Sequence, residues 1–405
     1  MGNLAINGGK PVYPSNAVQG LPWPPVSEET AERIKELYLS RAWSFNSETE
    51  QAFERAFADY HDAKHGIFMA NGTVTLECAL LALGVGPGDE VIVPGLTWIA
   101  TAMAVHYVGA TVVFADVEAD TFCLDPASVE ERITPKTKAI IPVHLYGSMA
   151  DLEKLLSIAK KHNLFVIEDC AHMQGGKWAG KGAGSWGDVG SFSFQQSKTL
   201  AAGESGICIT NDDRLALRIY RAKHIGYPPA SQQGQAATAP DEDLICHNYR
   251  GLAIPARILL DQLPGLDALL ERYAVFAKTF AEQIADVDGV SMQKPGRLAT
   301  RQGYYSLGIV FSEKVWGKVS GQRLMDAFRA EGAGIGPTYG PVYSHVLFNM
   351  KPTDYRNDGC PNVEMLNRFA YRVSHQTMYH LSNAVVYSSI LHKLLANIKE
   401  LEDLA

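Results

Sequence analysis

The stretch "KAIIPVHLYGSMADLEKLLSIAKKHNLFVIEDCAH" (residues 138–172) holds the reading that decides the fold. "KAIIPV" (138–143) and "LFVIED" (164–169) are short, unbroken apolar runs, the pattern of strands buried on both faces. Between them "MADLEKLLSIAKKHN" (149–163) repeats its apolar residues at helical spacing. Two strands joined by a helix of this length run parallel, since the crossover carries the chain back to the same edge of the sheet. Outward from here the alternation continues. Further strand candidates lie at 66–70, 90–94, 111–116, 190–194 and 206–210, with helical patterns at 73–84, 97–109 and 213–226. The expectation is an α/β fold whose mostly parallel, seven-stranded sheet lies between helices.

Past residue 226 the pattern changes. "YPPASQQGQAATAPDEDLI" (227–245) has no period and reads as a long surface loop, a candidate lid. Residues 256–289 are strongly helical except at Pro264, which should break or kink the helix. The domain boundary is placed there: residues 1–260 hold an N-terminal segment and the large domain, and 261–405 a linker helix and a smaller C-terminal α+β domain. A chain of 405 residues is long enough for both.

Composition narrows the class of function. A net charge of -8 with no basic cluster argues against nucleic-acid binding. No run approaches the roughly 18 apolar residues that span a bilayer, so no membrane role is expected. The start, "MGNLAINGGKPVYPSN", lacks the basic flank and apolar core of a signal peptide. Six scattered cysteines without a C-x-x-C pair read as reduced, buried thiols rather than disulfides or a metal site. A cytoplasmic protein is expected.

Ligands of open parallel sheets bind beyond the carboxyl ends of the strands. The residues there are "NGT" (71–73), "GLTW" (95–98), "EDCAH" (168–172) and "QQSK" (195–198). Gly72 and Thr73 open a helix, as a phosphate site would require, though a plain turn and N-cap has the same look. Asp169 is either an N-cap or an acceptor for a protonated ring nitrogen. Trp98 by itself reads as core packing, and His172 as a buried histidine or a group orienting Asp169. Lys198, in "SFSFQQSKTLAAGESG" (191–206), is the odd one: an internal ammonium is costly to desolvate unless its charge is used or lost. Together they describe pyridoxal 5'-phosphate, which needs a Schiff-base lysine, an acid for its pyridine nitrogen, phosphate donors and a flat group against its ring.

These residues sit in longer motifs. "GPGDEVIVPGLTWIATAMAVHYVGATVVFADVEADTF", "VIEDCAHMQGG", "GDVGSFSFQQSKTLAAGESGICITND" and "HNYRGLAIPARILLDQL" occur in that order, and the chain resembles the DegT/DnrJ/StrS family of sugar aminotransferases. The resemblance implies fold type I, with Lys198 as the Schiff-base lysine, Asp169 on the pyridine nitrogen and His172 supporting it. It also implies that Trp98 stacks on the cofactor ring, that Gly72, Thr73 and Ser193 bind phosphate, and that Asn248 reaches the phosphate of a neighbouring subunit in a homodimer. Within the family the likeness points to L-glutamine:scyllo-inosose (keto-cyclitol) aminotransferases, which pass an amino group from L-glutamine or L-glutamate to a ring ketone in aminoglycoside pathways. A nucleotide-sugar aminotransferase and a lyase resembling 3-amino-5-hydroxybenzoate synthase are the alternatives. Trp43, Tyr305, Tyr339 and His345, with Tyr304 and His375, are the substrate-facing candidates. Three departures from the family pattern stand out: Asn46 and Ser47 in a turn that often holds glycine, Ser205 within "GESG", and Pro255 within an expected helix.

Overall fold

The computed structural model describes all residues except Met1, Asn16, Asn46, Ala230, Gln232, Gln233, Ala237 and 403–405. Asn46 and part of the 227–245 loop therefore lie outside the described residues. In chain order the strands are β1 His65–Met69, β2 Glu90–Pro94, β3 Thr111–Ala115, β4 Thr137–Ile140 and β5 Phe165–Asp169. A short pair follows, β6 Lys177–Trp178 and β7 Lys181–Gly182, then β8 Val189–Ser193 and β9 Gly206–Thr210. The C-terminal part adds β10 Val290–Met292, β11 Ala299–Arg301, β12 Ser306–Phe311, β13 Gly336–Pro337, β14 Tyr355–Asn357 and β15 Ala370–Ser374.

The main sheet runs β1-β9-β8-β5-β4-β2-β3-β14. Every pair from β8 to β14 is parallel, and β9 alone runs against both its neighbours. All seven expected strands are present. The eighth, β14, has no apolar period; it is a short edge strand held by the main chain of β3. The other sheets are β10-β12-β15-β13 and β11-β6-β7.

The helices of the N-terminal two thirds are α1 Glu28–Ser40, α2 Glu48–Tyr60, α3 Gly72–Ala82, α4 Ala100–Tyr107, α5 Pro126–Arg132, α6 Leu152–His162, α7 Asp213–Lys223, α8 Ala253–Gln262 and α9 Leu266–Gln283. The alternation of side chains along each central strand splits the core into two layers. Ile92, Val113, Ile140 and Val166 pack under Leu155 and Ala159 of α6. Val91, Val112, Ala139 and Ile167 face α3 and α4, through Leu76, Leu80 and Val105. This two-sided burial is why the strands read as unbroken apolar runs. α6 is one-sided, its last turn carrying Lys160, Lys161 and His162, and it starts where the Asp151 carboxylate accepts the Lys154 N–H at 3.3 Å. α3 is buried almost all round, and its apolar sequence shows it.

Two of the departures have local explanations. Pro255 falls in the first turn of α8, where its missing N–H breaks no helical bond. Ser47 caps α2: its hydroxyl accepts the Glu50 N–H (3.2 Å) while Glu50 accepts the Ser47 N–H (3.0 Å). Pro264 sits in a 3-10 turn, Leu263–Gly265, between α8 and α9. The start of the chain is tied to its C-terminal part, since the Ala5 and Val12 N–H groups donate to the buried Glu331 carboxylate at 2.8 and 2.9 Å.

The 227–245 loop lies against α7. Arg218 pairs with Asp241 and Asp243, and Arg221 donates to Thr238 (2.6 Å) and to the Ala239 carbonyl. None of its described residues lines the central cavity. A lid role has no support from this placement.

Candidate active site

A cavity of about 1020 Å3 opens beyond the carboxyl ends of β1, β2, β4, β5 and β8, and the residues expected to converge there do so. Gly72, Thr73, Trp98, Asp169, His172, Ser193, Lys198, Tyr305 and Tyr339 all line it.

Lys198 follows β8 in a turn closed by its own N–H, which donates to the Gln195 carbonyl at 2.8 Å. The residue is only 8% exposed, and its Nζ lies 4.7 Å from the centre of the Tyr305 ring. Burial lowers the pKa of the amine below the ordinary lysine value, against the opposing pull of Tyr305 and Asp169. The amine is thereby brought closer to the neutral, nucleophilic form.

Asp169 ends β5. Its Oδ2 accepts from the Thr101 hydroxyl (2.9 Å) and its Oδ1 from the Ala171 N–H (3.1 Å). No helix begins behind it, so it is not a helix N-cap. Burial raises its pKa, while the Ala171 and Thr101 hydrogen bonds and the Lys198 charge pull it down. The remaining capacity of the carboxylate faces the cavity. Behind it, the buried Glu168 accepts from the Gly184, Trp186 and Gly187 N–H groups (2.9, 2.8 and 2.8 Å) and from His144 (3.1 Å), which anchors this end of β5.

His172 is buried and makes no hydrogen bond to Asp169 among the described residues. It lies flat on Tyr305, centroids 4.0 Å apart at 13°. Its Nδ1 accepts the Tyr146 N–H (3.3 Å), which leaves the ring proton on Nε2, a buried atom without a partner among the described residues. Burial, then the charges of Lys198 and Arg372, drives its pKa well below the usual value, so the ring is neutral. Thr101 is the group that steadies Asp169, and sequence reasoning missed it. The signal available was a hydroxyl within the otherwise apolar "IATAMAV", one turn after Trp98. Thr101→Val removes a donor to the ionised carboxylate. We expect a stability loss of about 1–3 kcal/mol and a further rise in the Asp169 pKa, moving the acid limb of the pH–rate profile to higher pH. An unmoved acid limb would show that Thr101 only packs.

The opposite end of the cavity suits an anion. Asn71 caps α3, accepting the Thr73 and Val74 N–H groups at 3.0 Å each, and the positive end of the helix dipole faces the cavity wall. A Cβ on Gly72 would lie 2.6 Å from the Ser193 Cβ, so only glycine lets the helix start approach β8 this closely. Gln174 fixes the Ser193 carbonyl at 2.6 Å. Ser205 takes no left-handed conformation; Gly203, with φ +83°, carries that demand of the turn.

Trp98 is 50% exposed, which is not the burial of a packing residue, and its open face borders the cavity. Tyr339 lies beside it at 5.6 Å, and the His345 ring at 6.5 Å. His375 is buried beneath the lysine turn, and Tyr304 takes a left-handed φ of 46° against Gly147. His345, His375 and Tyr304 are not among the residues that line the cavity, and neither are Trp43 and Asn248. Trp43 stacks on Tyr38 (5.4 Å), and Asn248 is exposed, bridged to His224, although Tyr249 next to it lines the cavity.

The set fits a phosphorylated pyridine aldehyde. It combines a buried amine of lowered pKa, a held carboxylate, an unpaired imidazole N–H, an open indole face and an anion cradle that a single Cβ would fill.

Comparison with known proteins agrees. An L-glutamine:2-deoxy-scyllo-inosose aminotransferase of Micromonospora echinospora is 36% identical over 356 residues, 85% of this chain and 84% of that one. An aminotransferase structure from Psychrobacter cryohalolentis superposes with a TM-score of 0.85 at 28% identity, covering 94% of this chain and all of that one. The structure of 3-amino-5-hydroxybenzoic acid synthase gives 0.84 at 26% identity, covering 95% and 100%. The family model that matches spans residues 24–380, and this chain belongs to the DegT/DnrJ/EryC1/StrS aminotransferase family.

Proposed function

We propose that this aminotransferase uses pyridoxal 5'-phosphate to move the amino group of L-glutamine or L-glutamate to the ketone of a cyclitol, in the biosynthesis of an aminoglycoside or a related metabolite. The observation that carries this reading is the meeting of a buried Lys198 and a doubly held Asp169 across one cavity whose far wall is the N-terminus of α3. Pyridoxal phosphate supplies, when bound, an aldehyde that condenses with amines and a ring that withdraws electrons. Asp169 would accept the N–H of a protonated ring nitrogen, and the hydrogen bonds from Thr101 and the Ala171 N–H favour its ionised form against the effect of burial. Gly72, Thr73 and Ser193 would hold the phosphate, Trp98 would cover the ring face, and His172 would offer its Nε2–H. Lys198 would serve, through Nζ, as the general base that moves the proton of the donor's Cα.

The acceptor class follows from charge. Among the described residues lining the cavity, Lys198 is the one strongly basic side chain, with Arg372 outside the lining over the Tyr339 ring at 6.0 Å, and Glu77 and Glu204 line it too. A nucleotide diphosphate calls for arginine or lysine donors, whereas carboxylates and tyrosine hydroxyls suit a neutral polyol. Tyr339 and His345 are proposed to face that ring.

The exposed Asn248, out of reach of its own cavity, is what a shared site across a homodimer requires, and we propose that dimer. Trp43 is proposed to meet substrate only from the partner's side. Six free cysteines, five of them buried, support a reducing, cytoplasmic setting.

The test is the visible absorbance of the purified holoenzyme. A yellow band that bleaches with L-glutamine and returns with one keto-cyclitol supports the assignment and names the acceptor. Return only with a nucleotide-linked keto-sugar overturns the cyclitol reading. A new aromatic ultraviolet spectrum with no amino transfer replaces it with the lyase.

A further inference from the structure

Tyr305 belongs to the strand segment of the C-terminal part, yet it meets the lysine turn of the large sheet in two ways. Its ring lies under Lys198 Nζ at 4.7 Å and is itself backed by His172 at 4.0 Å. Its hydroxyl lies 3.0 Å from the Ser197 hydroxyl, on the residue just before the lysine. Ser197 directs its own proton to Gln195 Oε1 (2.7 Å), which leaves Tyr305 as the donor. A second C-terminal residue takes hold of the same place: His375 Nε2 donates to the Ser197 carbonyl at 3.0 Å, while its Nδ1 accepts from Tyr273 at 3.3 Å. The lysine turn is thus gripped from the C-terminal part through one residue.

We propose that Tyr305 is a positioning residue for Lys198: its hydroxyl fixes the turn that carries the lysine, and its ring holds the amine at the cavity wall. The inference rests on Lys198 being the reacting amine. It moves Tyr305 from the substrate-facing set to the machinery that places the lysine. It also makes the placement of the C-terminal part a control on the amine, because displacing β12 would withdraw both contacts together.

The charged and titratable groups facing Lys198 are Tyr305 on the segment before β12, Asp169 on β5, Arg372 on β15 and Glu204 on its own loop. The two histidines beside it, His172 and His375, are both held neutral by burial. Of the four facing groups only Tyr305 is also hydrogen-bonded to the lysine's turn. A loosened turn exposes the amine, which relaxes its desolvation and moves its pKa up toward the ordinary lysine value.

The experiment is competitive trace labelling of lysines with acetic anhydride on the cofactor-free protein across a pH series, with the Lys198 peptide read by mass spectrometry. Hydrogen exchange over residues 195–199 is measured in parallel. Tyr305→Phe keeps the ring and removes the hydroxyl; Ser197→Ala removes its partner. In both variants we expect faster exchange of the turn; in Ser197→Ala, where only the turn is loosened, we also expect a higher labelling midpoint for Lys198 and labelling slower near neutral pH by about threefold to tenfold, whereas in Tyr305→Phe the lost upward pull of the Tyr305 hydroxyl offsets that rise. The double variant should do no more than either single one, as contacting pairs do. Turn exchange at the parent rate in Tyr305→Phe, a Lys198 midpoint unchanged in Ser197→Ala, or exchange effects of the two changes that simply add, would overturn the proposal. These readouts need neither substrate nor amino transfer, so they stand apart from the fate of the aminotransferase reading. A Tyr305→Phe protein that fails to fold leaves Ser197→Ala to decide the question by the same midpoint.

Discussion

Lys198→Ala is expected to abolish amino transfer, lowering the turnover of L-glutamine by roughly 10^4-fold or more, since it removes both the condensing amine and the general base. The fold should survive. Lys198 is a buried cation-former whose charged state the site already disfavours, and Asp169 keeps its hydrogen bonds to Thr101 and the Ala171 N–H when the amine is gone. Melting temperature and far-ultraviolet circular dichroism should therefore match the parent protein without cofactor. The visible band expected of the loaded enzyme should be missing or shifted in the variant. Amino transfer at even one hundredth of the parent rate would show that another group moves the Cα proton, and the mechanism would fail.

Asp169→Asn should separate stability from function. The variant keeps the shape of the side chain and an oxygen for the Ala171 N–H, and Thr101 can turn its hydroxyl to accept. What it loses is the negative charge that holds a ring nitrogen protonated, and we expect kcat/KM to fall by roughly 10^2–10^4-fold, the range for a positioned proton partner. Stability should move the other way. The folded-state pKa of Asp169 is raised, chiefly by burial, so the ionised carboxylate opposes folding at neutral pH. That penalty is absent below the unfolded-state pKa and grows as pH rises through the folded-state value. The cofactor-free variant should then melt higher than the parent at neutral pH, with the difference shrinking on acidification. A variant that melts lower at neutral pH would mean that the hydrogen bonds to the carboxylate outweigh its desolvation.

Much of this site was legible before any coordinates. Lys198 stood out because nothing in its surroundings justified a charge, and Asp169 because a carboxylate ended an apolar strand. Trp98 was harder: its sequence setting is that of a core residue, and only its half-open face distinguishes it. Thr101 was invisible for a related reason, since a threonine in an apolar helix ordinarily bonds to its own backbone. Its partner is Asp169, at the end of β5. Pro255 and Ser47 looked like departures and proved to be ordinary helix-start chemistry, because one residue of displacement decides whether a proline or serine breaks a helix or begins it.

What the sequence by itself determined is what is written in local periods: the seven main strands and the helices between most of them, the two-faced burial of the sheet, the α3 start at Gly72 and the odd setting of Lys198. These rest on side-chain alternation and on capping bonds within a few residues, so neighbouring letters contain them. The tertiary structure alone decided the eighth strand at 355–357, the close approach of Gly72 to Ser193, the hold of Thr101 on Asp169 and the seat of Lys198 over Tyr305. Each joins residues far apart in the chain. Such contacts form only when loop closure is repaid by packing summed over the whole core, and no local pattern records that sum.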